Sequence, residues 1–255
     1  MTAKKTGSAK TEGKKAEARE SYKKTGRFDK RKADELRPME MSIGILSNCD
    51  GSARVKVGET IAIAGVYGPK KCRPKHEELK DKLLIKCYYD LVSFSVPDRA
   101  RPGPSRRSTE LGMVIKNALE KSIFTEYYPR SMVEIFIEVV QADAGSRCAS
   151  LIAASLALAD AGIEMKELVP AVACGKIDDL ICVDLTKAEE DVHDGGGATD
   201  IPIAYLPKQD EITLLQLDGK ISKDELVEAI KMGITACKKI HEQMKQAIVK
   251  KYEKR

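Results

Sequence analysis

The residues best suited to chemistry in this sequence are arginines, glycines and clustered carboxylates, the residue types used in phosphate chemistry. Residues 141–147 read QADAGSR and precede a run of small apolar residues typical of a helix. A Gly-Ser step at a helix start leaves backbone N–H groups free, the helix dipole favours an anion there, and Arg147 adds a fork of donors. Gly145, Ser146 and Arg147 are therefore a candidate cradle for inorganic phosphate. An ordinary N-cap serine beside a surface arginine is the alternative interpretation.

A second basic segment, DRARPGPSRR at 98–107, has prolines and a glycine that predict a loop. Its arginines repel one another unless an anion is present, so the loop is a candidate track for a phosphate backbone. These arginines are Arg99, Arg101, Arg106 and Arg107. A solvated basic loop is the alternative. Lys70, Lys71, Arg73 and Lys75 form a similar patch after another predicted strand.

An acidic segment at 184–200 (DLTKAEEDVHDGGGATD) provides the other candidate chemistry. Its six carboxylates are Asp184, Glu189, Glu190, Asp191, Asp194 and Asp200. Carboxylate oxygens suit Mg²⁺, which offsets charge on a phosphate leaving group. A solvated acidic loop is the alternative. The three histidines, at 76, 193 and 241, are far apart in sequence, which gives little support to a Ser/His/Asp or Cys/His arrangement.

These segments need a scaffold, and the apolar periodicity predicts strands mixed with a few long helices. Strands are predicted at 39–46, 53–57, 60–66, 83–89, 132–140, 169–175, 179–183, 201–205 and 212–217. Helices are predicted at 108–124, at 146–161 and after Ser222, where Ser222 and Glu225 form a capping box. Turn signals join the first three strands into an antiparallel meander. The pattern predicts an α+β fold of stacked layers.

Charge separates the start of the chain from the rest. The 255 residues carry a net charge of +5, yet residues 1–32 hold 12 Lys or Arg against 4 Asp or Glu, so residues 33–255 carry −3. Residues 1–26 contain too little apolar surface to offset the entropy of ordering, which predicts a basic, disordered tail before a domain at 27–255. A nonspecific phosphate-binding arm is the second interpretation of this tail.

The remaining composition predicts a cytoplasmic globular protein. Hydrophobic residues make up 42% of the chain, enough for one sizeable core. The sequence has neither an apolar run long enough to cross a membrane nor an apolar signal-peptide centre. Seven cysteines, none in a CxxC pair, argue against a disulfide framework or a thiolate zinc site and predict reduced, mostly buried thiols.

The order of these segments resembles the RNase PH family. RPGPSRRSTE precedes QADAGSR, a small-residue helix ending ALADAG and then the acidic segment, and DELRP, DGSA and VYGP stand upstream. The match covers roughly residues 27 to 250 and is greatest for catalytic ring subunits of archaeal exosomes. It implies an RNase PH-like fold (βαβ layers, similar to ribosomal protein S5 domain 2) with a long C-terminal helix.

The resemblance also implies an activity. Members of this kind remove nucleotides from the 3′ end of RNA with inorganic phosphate as co-substrate, release nucleoside diphosphates and add tails in the reverse reaction. They alternate with an inactive paralogue in a hexameric ring under RNA-binding cap proteins. A noncatalytic RNA-binding ring subunit and a bacterial-type RNase PH that trims transfer RNA are the alternative functions.

By position, the resemblance assigns roles to individual residues. It places Gly145, Ser146, Arg147 and Arg107 on the phosphate, with Arg147 also a catalytic residue, and Arg99, Arg101, Arg106 and Lys70 on the RNA backbone. Asp184 becomes the acid or metal-linked carboxylate, and Asp191 joins it as a catalytic residue and Mg²⁺ ligand. The family's second aspartate lies six residues after the first, where this chain has Glu190 followed by Asp191, so both stay open as the second acidic ligand.

Overall fold

The computed structural model describes residues 27–177, 179–191 and 198–253. The predicted tail at 1–26 and residues 192–197 of the acidic segment, which include Asp194, lie outside this part. Within it, no helix is both long and apolar enough to span a bilayer.

The first sheet has five strands in the order β1-β2-β3-β5-β4. They are β1 (Met39–Ile43), β2 (Gly51–Val57), β3 (Thr60–Lys71), β4 (Leu84–Leu91) and β5 (Ser131–Gln141). The first three form the predicted antiparallel meander, with Val55 opposite both Met41 and Ala62. β4 pairs with β5 in parallel, which requires the long crossover that contains the arginine loop and the helix after it.

The second sheet is antiparallel, in the order β7-β6-β8-β9. Its strands are β6 (Ala171–Ile177), β7 (Leu180–Val183), β8 (Ala198–Leu206) and β9 (Glu211–Leu215). Consecutive residues of β6 and β8 are buried, because both faces of this sheet are covered.

Four α-helices lie in the described part of the chain: α1 (Arg106–Glu120), α2 (Ser146–Asp160), α3 (Lys187–Glu190) and α4 (Lys223–Glu253). Short 3₁₀ turns occupy Lys75–Glu77 and Thr125–Tyr127. α1 and α2 contact both sheets and lie between them. α4 covers the opposite face of the second sheet, where a Cβ on Gly233 would lie 2.8 Å from the Cys174 sulfur.

One hydrophobic core runs through these layers and includes nearly all of α2, from Cys148 to Leu158. Most residues of α2 are small (Ala, Ser or Cys) because this helix is packed on both sides. All seven cysteines are free and five of them are buried, as predicted. The α+β prediction and the long last helix are confirmed, and Ser222 and Glu225 form the predicted capping box.

Local details differ from the predictions. α1 begins at Arg106 and not at Ser108, because the Ser105 hydroxyl accepts the Ser108 N–H at 3.0 Å and the Ser108 hydroxyl accepts the Ser105 N–H at 2.7 Å. This reciprocal cap places Arg106 and Arg107 in the first helical turn instead of the loop. The short helix α3 was not predicted, since four residues are too few to show helical periodicity.

Candidate active site

The start of α2 is an open helix N-terminus. Gly145 is the N-cap residue with φ of 63°, it follows Ala144 at φ of 57°, and no side chain caps the helix. The interpretation of Ser146 as an ordinary N-cap serine is therefore wrong. Its hydroxyl instead accepts a hydrogen bond of 3.1 Å from the Tyr89 hydroxyl. The N–H groups of the first turn are left for a ligand, and an anion is the ligand that the dipole favours.

Two adjoining cavities open at this helix start. The larger, of about 770 Å³, is lined by Arg106, Arg107 and Arg147, and the smaller, of about 390 Å³, by Gly145, Ser146 and the same Arg107 and Arg147. The cavities share six lining residues: Arg107, Arg147, Lys187, Glu190, Asp200 and Pro202. We call them the paired cavities. The structure thus brings the predicted cradle together with two arginines from the basic segment.

Arg147 is oriented by residues that the sequence did not single out. Its Nη1 donates to Gln216 Oε1 at 2.5 Å, and Gln216 Nε2 donates to Glu110 Oε1 at 3.3 Å. The Nε atom of Arg147 is buried and has no hydrogen-bond partner among the described residues. A buried donor without a partner is costly, so this nitrogen is available to a bound anion.

Glu190 and Asp200 are the carboxylates of the paired cavities. Burial raises the pKa of Glu190, and the neighbouring Asp200 raises it further. Burial also raises the pKa of Asp200 although Arg147 acts to lower it, and Asp218 adds to the increase. The Oδ1 atom of Asp200 is buried without a hydrogen-bond partner in the described part of the chain. Such carboxyls hold a proton more readily than ordinary ones.

Asp184 lies in a different environment, 3% exposed and outside the residues that line the paired cavities. Its Oδ1 accepts from Arg37 Nη2 and its Oδ2 from the Arg37 backbone N–H, both at 2.7 Å. Arg31 Nη1 lies 3.5 Å from the same Oδ2. Both carboxylate oxygens are therefore already engaged by protein groups.

Asp191 lies at the end of α3, one residue after Glu190, where its carboxylate forms an ion pair of 2.8 Å with Lys187. Lys187 lines both paired cavities and Asp191 does not. Neither member of the predicted metal pair, Asp184 and Asp191, lines the paired cavities. Across residues 27–177, 179–191 and 198–253, no group of three or more His, Cys, Asp or Glu is arranged to hold a metal.

The remaining predicted RNA contacts are spread over the surface. Arg99, with φ of 54°, and Arg101 do not line the paired cavities, but their loop contributes Pro97 and Asp98 to the smaller one. Lys70 is on β3, with its ammonium 2.5 Å from Glu134 and 5.6 Å from the Tyr67 ring centroid. The structure therefore brings Arg106, Arg107 and Arg147 together at the paired cavities. Arg99, Arg101 and Lys70 lie outside the cavity linings.

The sequence reasoning passed over four residues at this site: Tyr89, Lys187, Gln216 and Asp218. It included Asp200 in the acidic segment without giving it a role. One signal was present, because Asp200 stands directly before the apolar run Ile201 to Leu206, and a charged residue beside the buried part of a strand is a candidate for a cavity wall.

Family models match most of the described chain. The model of the 3′ exoribonuclease family, domain 1, matches residues 35–164, and that of domain 2 matches residues 167–236. The chain belongs to the 3′ exoribonuclease (RNase PH) family. Arg106, Arg107 and Arg147 fall in the first family domain, and Lys187, Glu190 and Asp200 in the second, so the paired cavities lie where the two family domains meet.

Proteins of known name are similar to this chain over most of its sequence. The exosome complex component Rrp41 of Methanopyrus kandleri is 46% identical over 226 residues, which covers 89% of this chain and 93% of that protein. The protein of the same name from Pyrococcus abyssi is 47% identical over 228 residues, covering 89% and 90%.

Solved structures share the fold. Rice Rrp46 has a TM-score of 0.75 at 25% identity and covers 86% of this chain and 98% of its own. A chain of the Archaeoglobus fulgidus exosome with RNA bound to the active site has a TM-score of 0.76 at 23% identity, covering 91% and 98%. The predicted RNase PH-like fold is thereby confirmed.

Proposed function

We propose that this chain is the catalytic ring subunit of an exosome and degrades RNA from its 3′ end with inorganic phosphate. The observation that carries the proposal is the meeting of an uncapped helix start, Arg107 and Arg147 with the carboxyls of Glu190 and Asp200 in the paired cavities. The helix start and the two arginines suit an attacking phosphate, and the two carboxyls suit a leaving oxygen. The names of the relatives, exosome complex components, support the ring assignment.

The phosphate is bound by the first-turn N–H groups of α2 and by Arg147 and Arg107. One phosphate oxygen attacks the phosphorus of the last phosphodiester, a new P–O bond forms, and the bond to the 3′ oxygen of the preceding nucleotide breaks. The terminal nucleotide leaves as a nucleoside diphosphate. The protein mainly positions the reactants and balances charge, as is usual in phosphoryl transfer.

The departing 3′ oxygen needs a proton, and a carboxyl with a raised pKa can supply it. Asp200 and Glu190 have raised pKa values and line both cavities. Asp191, predicted as a catalytic residue, stays a candidate through its position beside Glu190. For Asp184 we propose another role, described below. The reverse reaction returns the proton and adds nucleotides to RNA.

Mg²⁺ is compatible with these residues. The unpartnered Oδ1 of Asp200 and the nearby Glu190 provide two carboxylates, and Mg²⁺ in phosphoryl-transfer sites binds one or two carboxylates together with substrate phosphates. Bound there, the ion would offset the charge on the leaving oxygen. Asp184 fits this role less well, because Arg37 and Arg31 already engage its oxygens.

RNA would reach this site along basic side chains. Arg106 lines the larger cavity, and Arg99, Arg101 and Lys70 would contact the backbone farther away, which gives affinity without sequence preference. In the proposed assembly the chain alternates with an inactive paralogue in a hexameric cytoplasmic ring, with RNA-binding cap proteins above it.

The decisive experiment uses the ring assembled with its partner subunits and RNA labelled at the 5′ end. With ¹⁸O-labelled inorganic phosphate, shortening should depend on phosphate and the label should appear in the terminal phosphoryl group of nucleoside diphosphates. Release of nucleoside monophosphates without phosphate would refute the mechanism. RNA binding without any shortening would favour the noncatalytic ring subunit, and full activity of the chain as a homohexamer would favour the bacterial type.

A further inference from the structure

The cradle and the acidic helix α3 are connected by buried charged side chains that do not line the paired cavities. Arg37 extends one end of its guanidinium to the cradle, where Nη1 donates to the Asp143 carbonyl at 2.6 Å. Its other end, Nη2, donates to Asp184 at 2.7 Å. One side chain therefore spans the loop before α2 and the residue that follows β7.

The connection continues from Asp184 to α3. The Asp184 carbonyl accepts from Arg27 Nη2 at 3.0 Å, and Arg27 also donates to both carboxylate oxygens of Glu189, at 2.9 and 3.0 Å. Glu189 in turn accepts the Thr186 N–H at 2.9 Å and caps α3. We call Arg37, Asp184, Arg27 and Glu189 the buried charge chain.

Each end of the buried charge chain holds backbone that carries the site. At one end are Ala144 and Gly145, both with positive φ, directly before the open helix start. At the other end is α3, whose Lys187 and Glu190 line both cavities. Asp184 itself has φ of 58°, and a residue other than glycine stays in this region only when its surroundings hold it there.

The burial of these charges is difficult to explain by stability alone. Arg27 and Glu189 are 0% exposed, Asp184 is 3% and Arg37 is 6%. A buried ion pair commonly adds little net stability compared with apolar packing, because desolvation offsets much of the attraction, although losing one partner is costly. Such a network does fix the groups it touches in one geometry, and phosphoryl transfer is sensitive to displacements of about 1 Å.

We infer that the buried charge chain sets the spacing between the phosphate cradle and the acidic helix, and that Arg37 and Asp184 are positioning residues for the reaction. This inference rests on the proposed function. It gives Asp184 a role that acts through Arg37 on the bound phosphate, without contact between Asp184 and the substrate.

Arg37→Lys tests the inference, because lysine keeps the positive charge but cannot bond Asp143 and Asp184 at once through a planar fork. In the assembled ring we expect the phosphate KM to rise at least tenfold and kcat to fall about a hundredfold, while RNA affinity without phosphate stays within about twofold. Direct phosphate binding by calorimetry should weaken in parallel with KM. A normal KM, kcat and phosphate affinity in the folded variant would overturn the inference.

Asp160→Asn is the matched control. Asp160 is a buried carboxylate, 5% exposed and paired with Lys251, at the other end of α2. The Asp160→Asn variant should have a lower melting temperature and an unchanged phosphate KM. Equal KM increases in Arg37→Lys and Asp160→Asn would show general loosening of the fold and would also overturn the inference.

If Arg37→Lys does not assemble, Glu189→Gln tests the other end. Glutamine keeps one acceptor for Arg27 and loses the other, so α3 should shift while the cradle stays in place. We expect kcat to fall at least tenfold and its pH profile to move, with phosphate affinity within about twofold of wild type. An unchanged kcat and pH profile would refute the positioning role. Absence of phosphorolysis in the wild-type ring would instead refute the proposed function.

Discussion

Arg147 and Asp200 line the same two cavities, and each has one buried polar atom without a hydrogen-bond partner in the described chain, Nε of Arg147 and Oδ1 of Asp200. A fold that buries a cationic donor and an anionic acceptor side by side without pairing them carries a cost. An anion that accepts from Arg147 Nε, together with a proton or a cation bound at Asp200 Oδ1, would remove this cost. This relationship leads to the first two predictions.

Asp200→Asn should lower the phosphorolysis rate by about 10² or more, since asparagine cannot donate the proton. It should also stabilise the fold near neutral pH. The folded-state pKa of Asp200 is raised, so its contribution to stability is present at low pH and is lost as pH rises through that pKa. The Asp200→Asn variant has no carboxyl to ionise and therefore does not lose this stability. Melting temperatures from about pH 4 to pH 8 should show a difference that grows with pH.

For this comparison Asp81→Asn is the control, as Asp81 is exposed and outside the site. Its effect on melting temperature should be small at every pH. A variant Asp200→Asn that is less stable than wild type at neutral pH would contradict the stability argument, and one with a full reaction rate would remove Asp200 from the chemistry.

Arg147→Glu should abolish phosphate-dependent shortening of RNA, because the phosphate would meet a carboxylate at the open start of α2. Ring assembly should persist, which size-exclusion chromatography can check. Arg130→Glu makes the same charge change at a side chain that is 70% exposed and should leave the rate near wild type. Full activity of Arg147→Glu would rule out the cradle as the phosphate site.

Alanine substitutions at Arg99, Arg101 and Arg106 should weaken RNA binding nearly equally for different sequences. Each lost phosphate contact should reduce the slope of log affinity against log salt by roughly 0.7 for a single strand. Fluorescence anisotropy over a salt series measures this slope. Lys239→Ala, on the exposed side of α4, is the control. Unchanged affinity and slope would identify the basic loop as a solvated surface.

The predicted boundary between the tail and the domain can be tested at Arg27, the first residue of the predicted domain. Removal of residues 1–26 should leave the melting temperature almost unchanged, as predicted from their composition. Arg27→Ala in the full chain should cost about 3–5 kcal/mol, because the buried Glu189 loses its partner. Denaturant unfolding of the two proteins gives the comparison. A large loss on truncation, or none for Arg27→Ala, would move the boundary.

Local patterns were sufficient for most of the fold. Alternating apolar residues specified the meander β1 to β3, and the small residues after Gly145 specified α2, since each signal lies within one element. The start of α1 was less visible, because the cap depends on two serines at the edge of a loop rich in proline and arginine.

The candidate site could be predicted only in part. The candidate phosphate cradle was visible in the sequence because its residues are consecutive, from Gly145 to Arg147. The proposed acid was not, since six carboxylates within 17 residues look alike in sequence, and only the fold distinguishes Asp184, engaged by Arg37, from Asp200, which lines the paired cavities. Gln216 likewise reaches Arg147 across 69 residues of sequence.

The division of the paired cavities between the two family domains has a consequence during synthesis. A ribosome releases Arg106, Arg107 and Arg147 well before Asp200, so an incomplete chain has the basic groups of the candidate site but lacks its proposed acid. The buried charge chain also forms late in synthesis, because the partners of Arg37 and Arg27, which are Asp184 and Glu189, are synthesised 147 and 162 residues later. If the proposed function holds, a nascent chain would stay inactive toward the messenger RNA beside it until Asp200 has emerged.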